Sequence, residues 1–101
     1  MEPLSRQIAS FRLPPHLSTE SWEICVIDAL TALELSRGRL VVECETLETF
    51  DEDGVALLIG LSRYSETRRV RVELVNPPDD LRQNLEMRGL GWLFDWRPIA
   101  V

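Results

Sequence analysis

Six carboxylates fall within eleven residues: Glu43, Glu45, Glu48, Asp51, Glu52 and Asp53, with no basic residue among them. Such a run could hold a divalent cation or form an acidic docking patch. The spacing of an EF-hand loop is absent, and a magnesium site usually gathers one or two carboxylates held apart on different elements. Asp51, Glu52 and Asp53 directly precede an apolar stretch, where the free N–H groups and dipole of a helix start favour negative charge. Acids of a helix start are therefore the simpler reading, and no metal is expected. The other chemistry-bearing residues are scattered. His16 is the only histidine, in a Pro-Pro-His turn, and no cluster of His, Cys and carboxylates has ligand spacing. None of the serines lies in a nucleophile-elbow context, and the five glycines form no phosphate-cradling loop. All eleven basic residues are arginine, which excludes a lysine nucleophile, a Schiff base and a P-loop lysine. Neither an enzyme nor a cofactor is expected.

The elements that position these residues follow from periodicity. One hundred and one residues, 45% hydrophobic and 28% charged, fit one globular domain spanning 1–101. The longest apolar stretch, Val55–Ile59, is far short of the roughly 20 residues of a membrane span. No basic start leads into a long apolar run, so no cleaved secretory signal is expected. A net charge of −6 opposes a nucleic-acid phosphate track or an anionic lipid surface. Cys25 and Cys44 read as buried thiols of a reducing cytoplasm rather than a disulfide. Strands are expected at Gln7–Leu13, Arg39–Cys44 and Arg69–Val75, with Leu40, Val41 and Val42 in succession suiting a central strand. The first helix starts at Ser18 or Thr19 and turns Trp22, Val26, Ala29, Leu30 and Leu33 inward, leaving Ile24 and Ile27 conspicuous on its opposite side. A second runs Glu52–Ser65 from a turn at Asp51. A third runs from about Asp79 to Arg88 and closes at Gly89. Leu90, Trp92, Leu93 and Phe94 follow as an apolar cluster, then a short piece, Trp96–Val101. The alternation specifies an α/β fold with a mixed, largely parallel sheet of about four strands and three to four helices.

The second helix carries two stripes. Leu57, Leu58, Leu61 and Tyr64 occupy one broad side, and Glu52, Val55, Ala56, Ile59 and Arg63 the other. With charge at both ends of the second stripe, Val55, Ala56 and Ile59 would form an exposed apolar patch with a polar rim, as interaction sites do. Periodicity alone fits equally well a helix covered on both sides within the domain.

The order of residues in Arg39–Phe94 resembles the STAS domain, the fold of bacterial anti-sigma factor antagonists and of sulfate-transporter cytoplasmic tails. In that family a buried strand leads into Asp-Ser-Ser-Gly-Leu-Gly-x-Leu and a helix. The matching text here is Asp51-Glu52-Asp53-Gly54-Val55-Ala56-Leu57-Leu58. The family's next strand ends in Asn-Pro before a helix of pattern Val/Leu-Arg-x-x-Leu closing in Gly-Leu. This chain reads Asn76-Pro77, Leu81-Arg82-Gln83-Asn84-Leu85 and Gly89-Leu90. Upstream, only Leu17 keeps the family's Gly-x-Leu-Asp turn. The serine or threonine that relatives phosphorylate after the aspartate is replaced by Glu52, and the next serine by Asp53.

The resemblance implies a non-catalytic regulatory or interaction protein in the cytoplasm, akin to an anti-sigma factor antagonist in a partner switch but without the phosphorylatable serine. A carboxylate accepts no stable phosphoester and supplies about one negative charge, against roughly −1.5 to −2 for phosphoserine. The switch is either fixed in a phospho-like state or discarded. The implied partner is a kinase-like anti-sigma factor. The alternative is an accessory STAS subunit of a lipid-transport ABC system that binds its cytoplasmic ATPase, since the text of those subunits resembles Gly54–Leu58. A nucleotide-binding domain is the third reading, opposed by the missing glycine loop and lysine. In relatives the start of the second helix meets the partner, so the expected partner-binding residues are Asp51, Glu52, Asp53, Val55, Ala56, Ile59 and Arg63. No nucleic acid and no membrane insertion are expected, and the oligomeric state stays open, a homodimer included.

Overall fold

A computed structural model describes residues 9–97. The elements follow in the order β1 (Ala9–Arg12), β2 (His16–Leu17), α1 (Thr19–Leu35), β3 (Arg39–Glu43), β4 (Thr49–Phe50), α2 (Glu52–Thr67), β5 (Arg71–Val75), α3 (Asp79–Met87), a short 3-10 turn (Gly91–Leu93) and β6 (Phe94–Arg97). The expected mixed α/β fold is present. Four strands form one parallel sheet in the order β1-β3-β5-β6, and β2 and β4 pair in parallel beside it. Parallel neighbours require long crossovers, which α1, α2 and α3 supply.

Period-two alternation gives the sheet two different faces. Phe11, Leu40, Val42, Val72, Leu74 and Phe94 turn to the helices and join Leu33, Leu58, Leu81 and Leu85 in one core. On the other face Ser10, Val41, Glu73 and Asp95 lie side by side in register. Arg39 bridges Glu73 at 3.2 Å and Asp95 at 3.5 Å, Arg71 pairs with Asp95 at 3.1 Å, and Arg97 donates to Glu73. Arginines above and below thus offset two neighbouring carboxylates. Val41 is buried on this charged face, outside the main core.

Helix ends follow the local chemistry. Ser18 caps α1 in a capping box with Ser21, and α2 runs two residues beyond the expected Ser65. Gly89, at φ 71°, follows the C-cap of α3 in the left-handed conformation that glycine adopts without steric cost. The first expected strand shortens to Ala9–Arg12, with residues 7–8 outside the described residues. Of the expected terminal piece Trp96–Val101, residues 96 and 97 end β6 and residues 98–101 lie outside the described residues. Helix α1 buries Ala29, Ala32 and Leu33, while Leu30, expected inside, is exposed beside α2. The inward line of α1 runs through the small alanines, which lets the helix lie close to the sheet.

Candidate functional site at the start of the second helix

The junction of β4 and α2 is fixed from several sides. Pro15 accepts hydrogen bonds at its carbonyl from the N–H groups of Glu48 and Thr49, and Leu17 accepts one from Asp51. These contacts tie the chain before α2 to the β2 segment. Asp51 is the N-cap, and its Oδ1 accepts from the Gly54 N–H at 2.7 Å, satisfying one of the donors a helix start leaves free. Gly54 packs so tightly on β2 that a Cβ there would penetrate the Leu17 carbonyl. Leu17, the one residue that keeps the family's upstream turn, is itself fully buried. His16 and Thr49, paired in register across β2 and β4, are joined through His16 Nδ1 and Thr49 Oγ1.

Around this anchor the expected site residues divide. Asp51, Glu52 and Asp53 are exposed and lie at the positive end of the α2 dipole. The Glu52 side chain is 91% exposed and faces Arg88, beyond the end of α3, at 3.6 Å. Ala56 and Arg63 are exposed as well. Val55 is 0% exposed and Ile59 is half-buried against the core. The exposed apolar patch of Val55, Ala56 and Ile59 is therefore not present. Neither of the two arrangements forms as expected: α2 is covered along Val55 and Leu58 and open along Glu52, Ala56 and Arg63.

The reason lies in two serines. The inward line of α2 is Gly54, Val55, Leu58, Leu61, Ser62 and Ser65. Ser62 donates to the Leu93 carbonyl at 2.8 Å, and Ser65 to the Leu61 carbonyl at 2.7 Å. Buried hydroxyls with partners cost little, so the core face includes residues that read as polar. The true face is rotated from the expected one, drawing Val55 in and leaving Tyr64 46% exposed.

The acidic run does not converge. Glu43 faces Arg12 at 3.9 Å, Asp51 is engaged in capping, and Glu52 turns to Arg88. Among the described residues no three His, Cys, Asp or Glu side chains are grouped to hold a metal ion. Burial pushes the Cys44 thiol up to about 12, and burial with help from Asp28 raises Cys25. Both cysteines are free thiols. No helix among the described residues is long and apolar enough to cross a membrane.

What the arrangement offers is an anchored, exposed, acidic helix start. His16, Thr49 and Arg88 belong to this region and were not expected there. Two-residue strands leave no periodic signal, and nothing local links position 52 to position 88.

A family model described as "Mlab, STAS domain" matches residues 25–95. The chain belongs to the STAS family. Among solved structures it is similar to the anti-sigma factor antagonist SpoIIAA in its unphosphorylated form, with a TM-score of 0.68 and 26% identity over 94% of this chain and 84% of that one. No curated protein matches the chain.

Proposed function

We propose that this protein is a non-catalytic regulatory module of the cytoplasm that docks a partner protein at the start of α2, as an anti-sigma factor antagonist would, without a phosphorylation switch. The observation that carries the reading is Glu52: it stands almost fully exposed at the first position of a helix pinned by Gly54 on Leu17. Asp51, Glu52, Asp53, Ala56 and Arg63 form the contact surface, and Val55 and Ile59 support it from beneath. A kinase-like anti-sigma factor is the preferred partner.

Glu52 and Asp53 leave no hydroxyl at the helix start, and Thr49 is engaged with His16. Phosphopeptide mapping of the protein from its native cell therefore finds no phosphate on residues 49–53, and phosphate on Thr49 would overturn the reading. Substituting Glu52→Ser removes about one charge and strengthens partner binding if Glu52 stands in for phosphate. Unchanged affinity would leave Glu52 as a helix-start acid only.

The second reading, an accessory subunit bound to the ATPase of a lipid-transport ABC system, is favoured by the run Gly54-Val55-Ala56-Leu57-Leu58. Affinity purification from the native cell separates the two by what is retained: a kinase-like protein, or an ATPase with its permease.

A further inference from the structure

A second surface lies on α1. Its outward line reads Glu20, Ile24, Ile27, Thr31 and Glu34 at successive three- and four-residue steps. Ile24 is 83% exposed and Ile27 70%, an unusual state for β-branched aliphatics, which are among the most buried residues of folded proteins. Beside them, Leu30 and Thr31 of α1, Tyr64 of α2 and Arg68 at the C-cap of α2 border a groove of about 320 Å³ floored by Leu33. Arg68 is held over the Tyr64 ring at 5.7 Å and donates to its hydroxyl at 3.1 Å, so the far wall of the groove is a braced aromatic and cation pair. Neither the core nor the α2 start uses this face.

We infer that the outward face of α1 pairs with the same face of a second copy of this chain, the two helices antiparallel about a two-fold axis near Ile27 and Thr31. Area supports this occupant. The exposed parts of Ile24, Ile27, Leu30, Leu35 and Tyr64 amount to roughly 600 Å², and intervening polar side chains bring the face to about the 800 Å² per partner of a standard interface. Charge selects the direction of the pairing. Helix α1 carries Glu20, Glu23, Asp28 and Glu34 and no base, while Arg37 follows its C-terminal end and Arg68 stands by its last turns. A parallel pair would bring Glu20 and Glu23 of both copies together. An antiparallel pair sets Glu20 and Glu23 of each copy against Arg37 and Arg68 of the other and opposes the helix dipoles. At 1.5 Å per residue, Ile24 then lies about 7.5 Å along the helix from the axis, opposite the groove of the second copy. The interface is isologous and closes on itself.

Sedimentation of the full chain over a range of concentrations tests the proposal. The wild type is expected to run at twice the chain mass, dissociating on dilution. The double variant Ile24→Glu/Ile27→Glu is expected to be monomeric with an unchanged circular dichroism spectrum and melting temperature, because both side chains are exposed. Glu20→Arg/Glu23→Arg is expected to raise the dissociation constant at least tenfold, and adding Arg37→Glu/Arg68→Glu to the same chain to restore it. A wild type that stays monomeric at its highest soluble concentration overturns the proposal, as does an Ile24→Glu/Ile27→Glu variant that still dimerises. Failure of the four-residue swap to restore pairing overturns the antiparallel arrangement. The start of α2 is untouched by these changes, so loss of dimerisation and loss of partner binding are read separately.

Discussion

Gly54 in the first turn of α2 rests against the backbone of Leu17 in β2, with no room between them for a methyl group. That contact sets the position of the acidic helix start, because Asp51 caps the helix onto the Gly54 N–H and itself donates its own N–H to the Leu17 carbonyl. Substituting Gly54→Ala forces the helix start away from β2. The expected loss is about 1–3 kcal/mol, the scale of an overpacked core, read as a lower midpoint in urea with an unchanged slope. A variant as stable as the wild type would show that the contact does not position the helix.

The two sides of α2 are expected to respond differently to substitution. Leu58→Ala, at a fully buried site, costs about 2–5 kcal/mol. Ala56→Arg, on the exposed side, stays within about 0.5 kcal/mol of the wild type. Ile59→Asp puts a carboxylate into a half-buried apolar site and lowers the melting temperature, so it cannot serve as a neutral probe of binding. Thermal melts of the three variants check the assignment of faces.

Glu73 lies on the outer face of the sheet, nearly buried and flanked by Arg39 and Arg97. Glu73→Gln keeps the shape and removes the charge, leaving two arginines facing each other across it. A loss of about 1–2 kcal/mol is expected at low salt, shrinking as salt screens the network. Denaturation midpoints of both proteins at two ionic strengths check this. A loss independent of salt would assign the role of Glu73 to hydrogen bonding alone.

The Cys44 thiol is held neutral by burial, its pKa pushed from the ordinary 9.0 to about 12. A raised acid pKa means the folded state retains the proton longer than the unfolded one. The stabilisation is therefore complete below pH 9 and lost as pH rises from 9 toward 12. In that window the wild type is expected to lose up to about 1.4 kcal/mol per pH unit beyond what Cys44→Ala loses. Equal pH slopes for the two proteins would contradict the burial. At neutral pH, Cys25 should alkylate before Cys44, as peptide mass spectrometry would show.

Much of this architecture is legible in the sequence because its signals are local. Val70, Val72 and Leu74 alternate, Asp51 precedes a helical run, and Gly89 marks a helix end. What was not legible depends on partners distant in the chain. Ser62 and Ser65 sit on the core face because their hydroxyls find carbonyls, one of them 31 residues away. Periodicity counts them as polar and so turns α2 by part of a turn. The short pairing of His16–Leu17 with Thr49–Phe50, which locks the site, spans two residues per strand and leaves no pattern to read. The acids of the site were legible individually; their separation into a capping acid, Asp51, and two acids turned to different arginines, Glu52 to Arg88 and Glu43 to Arg12, was not.

The central claim is that the exposed start of α2 receives the partner. Its most direct test is the dissociation constant of the partner recovered from the native cell, measured by titration calorimetry against the wild type and Ala56→Arg at matched folded fraction. Binding weakened tenfold or more, about 1.4 kcal/mol, with the melting temperature unchanged, is the predicted result. An Ala56→Arg protein that binds as tightly as the wild type would contradict it.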